Sequence, residues 1–221
     1  MAASSLKIDF VSDVACPWCA VGLAALEQAL ARLEGDVHAE LHFQPFELNP
    51  KMPPEGQDIG EHLAQKYGST PEQQAANWNA IRERGADLGF EFRKEGRGRV
   101  YNTFDAHRLL HWAGIEAPQR QTALKKALLG AYFTDARKIS DSQVLLEAAA
   151  SAGLDAARAA SILAGDEYAA EVREREAFYT GQGIQAVPSV IVNDRHLIQG
   201  GQPPEVFEQA LRQIAAQAQA A

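Results

Sequence analysis

The amino-acid sequence predicts an α/β fold, a βαβ…ββα domain split by a large all-helical insertion. Three observations carry this prediction. Apolar residues alternate in short runs near both ends of the chain, the period lengthens to that of a helix directly after Pro17, and between about 49 and 180 the signals are almost all helical. With 221 residues, 46% of them hydrophobic, the chain can bury a sizeable core, either as one large domain or as a domain carrying an insertion.

The elements follow in order. Leu6 to Val11 (LKIDFV) alternates and ends in polar Ser12 and Asp13, as a strand running into a loop does. Pro17 occupies a favoured first-turn position. Val21, Leu23, Ala24, Leu26, Ala29, Leu30 and Leu33 then sketch a helical face that stops at Gly35. Val37 to Phe46 returns to alternation, and the crossover is long enough to make the two strands parallel. Seven helices are expected next: Gln57 to Tyr67, Thr70 to Leu88, Thr103 to Ala113, Pro118 to Phe133, Asp141 to Ser151, Asp155 to Leu163 and Glu167 to Tyr179. Ser69 or Thr70 and Asp141 supply capping signals, and Gly68, Gly89, Gly114, Gly153 and Gly165 mark helix ends. Ser189 to Val192, an Asn193-Asp194 turn and His196 to Ile198 form a hairpin, broken by Gly200-Gly201. Pro203 to Ile214 is a closing helix with one apolar face, followed by an Ala/Gln tail. The domain is therefore expected to comprise 1–48 and 181–221, with the helical insertion at 49–180.

Twenty-one basic residues stand against 29 acidic ones, a net charge of −8, which excludes the electrostatic footprint of a nucleic-acid binder. The basic run Arg93 to Arg99 (RKEGRGR) reads as a solvated, glycine-loosened loop. Nothing at the N-terminus reads as a secretory signal, because MAASSLK is followed by IDFVSDV, an apolar run broken by two aspartates and too short for an h-region, and no stretch approaches the ~20 apolar residues of a membrane span. A cytoplasmic protein with no membrane partner is expected. Thiols there are mostly reduced, so neighbouring cysteines read as catalytic or metal-binding.

Both cysteines of the chain fall in DVACPWCAVG, Asp13 to Gly22. Cys16 lies between the strand and the helix, where free amides and the helix dipole favour a thiolate. Cys19 lies one turn further in on the same side, less exposed and within disulfide reach. An acidic thiol in front of a resolving thiol is what thiol–disulfide exchange requires. Pro17 supplies no amide and fixes φ, and Trp18 offers a flat apolar surface beside the sulfur.

His107 and His111, four apart on a predicted helix, raise zinc as an alternative, but 87 residues separate Cys19 from His107, unlike the short spacings of zinc ribbons and fingers, so no metal is assigned. The histidines read first as polar residues on a partly exposed helix face and second as lining a cleft near the cysteines.

Taken in order, CPWC at a helix start, QPFELNP, NTFDAHRLLHWA, YFTDARKISD and GIQAVPSVIVNDRHLIQGGQ resemble the DsbA-like thioredoxin-fold oxidoreductases, most closely their FrnE-type cytoplasmic members. The likeness covers nearly the whole chain. It implies a thioredoxin-like fold, Cys16 as nucleophile, Cys19 as resolving cysteine, and Val187-Pro188 as a cis-proline loop facing them, where the polar groups of Val187 pair with an extended peptide. Trp18, Pro17, Asn102 and His107 are further substrate-binding candidates, with Phe10, Asp13 and Phe46 as additional cleft-lining ones.

The resemblance implies a protein disulfide isomerase-like thiol–disulfide oxidoreductase acting on protein or small disulfides. It requires no cofactor, admits glutathione as a redox partner, and admits a homodimer. Kappa-type glutathione transferases and 2-hydroxychromene-2-carboxylate isomerases share the superfamily, but typically carry Ser at the position of Cys16 and lack the second cysteine; a glutathione-dependent isomerase or transferase is the alternative. A chaperone-like binding module that uses the cysteines only incidentally is a third class. In a reducing cytosol, reduction or isomerisation fits better than net oxidation.

Overall fold

A computed structural model describes residues 4–220. The limits expected at 1 and 221 lie outside the described residues. Strand β1 (Ser4–Ser12) leads into helix α1 (Pro17–Arg32), which returns the chain to β2 (Val37–Pro45), parallel to β1 with Phe10 opposite Phe43. Near the C-terminus β5 (Ser189–Val192) pairs antiparallel with β1, and β6 (His196–Gln199) with β5, giving the order β2-β1-β5-β6. β1 is central: its first half alternates between buried Leu6 and Ile8 and exposed Ser5 and Lys7, and from Ile8 to Ser12 it is buried throughout. The hairpin turn is built by Asn193 and Asp194, both left-handed at φ 53° and 54°, which suits the twist of the strands it joins. Helix α9 (Pro204–Ala220) closes the domain against α1 and β1.

Between β2 and β5 the chain forms β3 (Gln57–Asp58), α2 (Ile59–Tyr67), α3 (Pro71–Asp87), β4 (Arg99–Val100), α4 (Phe104–Glu116), α5 (Pro118–Phe133), α6 (Ser142–Ser151), α7 (Ala156–Ala164) and α8 (Ala169–Gly181). The expected helices are present within a few residues. Thr70 and Gln73 form a capping box at α3, and Asp141 caps α6. Two expectations are corrected. The segment is not wholly helical, because Gln57–Asp58 and Arg99–Val100 pair as a two-stranded ribbon too short to leave a period in the sequence. Gly114 ends nothing; it lies inside α4, where a Cβ would meet Gln121 Nε2 at 2.5 Å. Gly114 is small so that Gln121 can reach across: its Oε1 accepts the Phe43 amide and its Nε2 donates to Leu110, stitching α4 and α5 to the edge of β2.

One hydrophobic core runs from Leu6, Ile8, Phe10 and Leu26 through Phe43 to Leu109, Leu124, Leu128 and Leu145, so sheet and inserted helices share an interior. Among the described residues no helix is long and apolar enough to cross a membrane.

Candidate active site

The site begins where β1 ends. Asp13, 1% exposed, accepts the Ala15 amide on Oδ1 at 3.1 Å and the Leu48 amide on Oδ2 at 2.7 Å, pinning the loop after β1 to the loop after β2. Burial works to raise its carboxyl, but His107 nearby and these two amides outweigh it and hold the group below the usual carboxylate range. His107 Nε2 approaches Oδ1 to 3.5 Å without hydrogen-bond geometry.

Three residues on, Cys16 is the N-cap of α1, in extended backbone (φ −95°, ψ 114°), with Pro17 in the first helical position. Both thiols are free and approach each other to 3.5 Å. The Cys19 thiol donates toward the Cys16 sulfur and lowers the Cys16 thiol, and against the opposing effect of burial the Cys19 amide and the Arg97 charge act in the same direction. Cys19, wholly buried, is pushed well up, first by burial and then by the adjacent Cys16. The pair is thus asymmetric: an anion is favoured on the outer sulfur and disfavoured on the inner one.

Facing Cys16 across the sheet end is Val187, whose carbonyl oxygen lies 3.6 Å from the Cys16 sulfur. The Val187-Pro188 peptide bond is cis. The Pro188 carbonyl is tied back by the Gly200 amide at 2.8 Å, and the Pro188 ring rests on Gly22 of α1. Beside them opens a cleft of about 870 Å³, with Cys16, Pro17, Trp18 and Val187 on one wall and Leu63, Tyr67, Trp78 and Arg97 from the inserted segment on the other. Trp18 is 42% exposed, presenting its ring to this space.

Several candidates lie elsewhere. Asn102 accepts the Phe104 amide at the start of α4 and donates to Glu47, so it organises the segment and lines no cleft wall. His107 is 2% exposed behind Asp13, neither on an exposed helix face nor in the cleft, because the period that marks α4 does not reveal which face is covered. His111 lies edge-on to Tyr168, and among the described residues no group of three or more His, Cys, Asp or Glu side chains is placed to hold a metal ion. Phe10 is core, packed edge-on against Phe43, and Phe46 joins a small cluster with Val11, Tyr179 and Ile184.

Two basic residues that turn inward escape the sequence reading. Arg97 belongs to the basic run that reads as solvated, yet left-handed Gly96 and Gly98 turn it inward, where Nη1 donates to the Ala15 carbonyl at 2.6 Å and the guanidinium sits over Tyr132 and Phe133. Lys125 is 0% exposed on the inner face of α5.

The comparisons with known proteins agree with this geometry. A family model described as a DSBA-like thioredoxin domain matches residues 7–212. A probable DsbA oxidoreductase from Streptomyces coelicolor is 37% identical, with a TM-score of 0.86 over 94% of this chain and 89% of that one. The uncharacterised protein YwbO of Bacillus subtilis (strain 168) is 28% identical over 222 residues, 94% of this chain and 96% of YwbO. The cytosolic disulfide reductase DsbM from Pseudomonas aeruginosa, in a structure with GSH, shares the fold at 18% identity and a TM-score of 0.63, over 94% of this chain and 98% of that one. A cysteine pair at the head of α1, the loop that faces it and a match running from β1 into α9 are explained together, for the chain belongs to the DSBA-like thioredoxin domain family.

Proposed function

We propose that this oxidoreductase is a dithiol enzyme that exchanges electrons with protein or small disulfides through Cys16 and Cys19. The observation that carries the reading is the pair itself: two free sulfurs 3.5 Å apart, the outer one lowered and the inner one raised. The Cys16 thiolate attacks a substrate disulfide, forming a mixed disulfide and expelling one substrate thiolate. Cys19 then attacks the Cys16 sulfur, closing the internal disulfide and releasing the second thiolate, so the substrate gains the two electrons the dithiol loses. Val187 offers its backbone to an extended substrate, and Trp18 a surface for apolar side chains. In this reading 1–48 and 181–221 form the reacting domain, while 49–180 supplies the far wall of the cleft.

Glutathione is the small partner we assign. DsbM is a cytosolic disulfide reductase seen with GSH, and the cleft here brings His62, Lys66, Lys94 and Arg97 against a single acid, Glu95, in a chain of net charge −8. Such a lining suits the carboxylates of a short peptide. Reduction or isomerisation in the cytoplasm is the direction that follows.

The test is a redox titration of the pair across glutathione buffers of graded potential. A single two-electron transition between dithiol and internal disulfide is expected, abolished in Cys16→Ser, with mixed disulfides accumulating in Cys19→Ser. A stable glutathione adduct on Cys16 with no internal disulfide would instead move the site to the glutathione-dependent isomerase or transferase class.

A further inference from the structure

The cleft beside Cys16 carries two kinds of lining that neither glutathione nor an apolar peptide explains alone. Its apolar part is open on both walls: Trp18 of α1 is 42% exposed and Tyr67 of α2 is 63% exposed, with half-buried Leu63 one turn before Tyr67. Glutathione brings two carboxylates, an ammonium and amides, and no apolar side chain beyond its cysteine, so it would leave these surfaces in water. The volume of about 870 Å³ also lies toward the upper end of the ~300–1,000 Å³ of small-molecule sites, more than a tripeptide fills.

The basic part is held in place from both ends. The Arg93 amide donates to the Phe133 carbonyl at 2.9 Å and the Arg93 carbonyl accepts Trp78 Nε1 at 3.1 Å, while four residues on Arg97 Nη1 donates to the Ala15 carbonyl at 2.6 Å. Between these anchors Lys94 makes no hydrogen bond or ion pair among the described residues, and neither do Nε and Nη2 of Arg97. Glu95, the one acid on the lining, is already paired with Arg93 at 3.2 Å. Lys66 adds positive charge from α2, although its Nζ also serves the Leu48 carbonyl and Asn49 Oδ1. These cations are complementary to an anion, which an apolar peptide does not supply.

We propose that the substrate is a glutathione-capped protein cysteine with apolar flanking residues, its glutathione carboxylates bound by Lys94 and Arg97 and its flanking side chains by Trp18 and Tyr67. The inference rests on the dithiol reading above and deepens it. Arg97 holds the residue before Cys16, so the glutathione half lies against the nucleophile and attack falls on its sulfur. The Cys16 thiolate bonds to that sulfur, the substrate disulfide breaks, and the protein leaves as a thiolate that takes a proton from water. Cys19 then loses its proton to water and attacks the Cys16 sulfur. Glutathione leaves as a thiolate and the internal disulfide closes, so two electrons pass from the dithiol to the substrate. Two further glutathione molecules reduce the internal disulfide in turn and leave joined as glutathione disulfide.

The experiment is a single-turnover reaction of the reduced protein with four short peptides, each with one cysteine, following release of the peptide thiol by mass. The peptides combine an apolar or a Gly/Ser flank with a glutathione or a cysteamine cap, and each rate is divided by that of dithiothreitol with the same peptide. The apolar, glutathione-capped peptide should react fastest, by about fivefold over a change of flank and about two- to fivefold over a change of cap. Added salt should shrink the preference for the cap and spare that for the flank. Tyr67→Ala should narrow the preference for the apolar flank, and Lys94→Gln that for glutathione, each by about two- to threefold. A wild-type preference for the cap whatever the flank overturns the proposal and returns the cleft to free glutathione. A preference for the flank whatever the cap overturns it in favour of protein disulfides, and neither comparison needs a variant to fold. Release of no peptide thiol, with no internal disulfide formed by glutathione disulfide either, would overturn the dithiol reading itself.

Discussion

The sulfur of Cys16 lies 3.6 Å from the carbonyl oxygen of Val187, a residue 171 positions away in the chain. The contact joins the first strand–helix junction to the loop that leads into β5, and its sense depends on protonation. A Cys16 thiol donates weakly to that oxygen, whereas a thiolate faces it as an unfavourable neighbour. What sustains the thiolate must therefore come from the other side, from Cys19, the head of α1 and Arg97.

Arg97 supplies a testable share of that support. Its guanidinium lowers the Cys16 thiol while holding the Ala15 carbonyl. In Arg97→Met, alkylation of Cys16 by iodoacetamide at pH 6 should slow by about two- to fivefold, the kinetic equivalent of the ~0.5–1 kcal/mol that a part-exposed charge contact contributes. Near pH 9.5 both proteins carry the thiolate, and the variant should match or exceed the wild type because a more basic sulfur is the better nucleophile. Equal rates at pH 6 would remove Arg97 from the site.

The asymmetric pair also makes stability depend on redox state and pH. Cys16 is lowered in the folded protein, so its contribution is fully present above the ordinary thiol value of about 8.5 and is lost as pH falls through the folded value. Cys19 is raised, so its contribution is complete below about 8.5 and disappears only above it, leaving that window to Cys16. The reduced protein should gain stability over the internally oxidised one as pH rises from 5 toward 8, with a slope of at most about 1.4 kcal/mol per unit. Urea melts of both forms at several pH values measure this. A difference that is flat or shrinks with rising pH would contradict the direction assigned to Cys16.

The parts of the site that were legible in the sequence are those written in local chemistry. The change of period at Pro17, the spacing of Cys16 and Cys19, and the Asn193-Asp194 turn each depend on residues within a few positions of one another. Arg97 was not legible, because a basic run between glycines looks the same whether it is solvated or folded onto a carbonyl 82 residues away. Nor was Lys125. It sits next to Lys126, which is exposed and paired with Glu27, and only its position four after Gln121 and seven before Tyr132 puts it on the covered stripe. Periodicity located the helix without saying which neighbour would cover it. His107 illustrates the same limit on α4, and Asn102 shows another: a polar residue just before a helix serves a cap more readily than a substrate.

Gly22 offers the sharpest check on how α1 and the proline loop are fitted together. A Cβ there would stand 2.9 Å from Pro188 Cγ and 3.3 Å from Gly201 Cα, too close for either to stay in place. Alanine gains about 1 kcal/mol in helix propensity, while overpacking a close contact costs about 1–3 kcal/mol, so the clash should win and Gly22→Ala should destabilise the fold by up to about 2 kcal/mol. Moving Pro188 also moves the Val187 carbonyl away from Cys16, so disulfide exchange should slow in the same variant. Gly130, inside α5 with nothing within 4 Å of a built Cβ, is the matched control. There the propensity gain stands unopposed, and Gly130→Ala should stabilise by about 0.5–1 kcal/mol with exchange unchanged. Equal and favourable effects from the two substitutions would mean that the backbone at Gly22 does not need the room the structure gives it, and that Pro188 is positioned by something other than the face of α1.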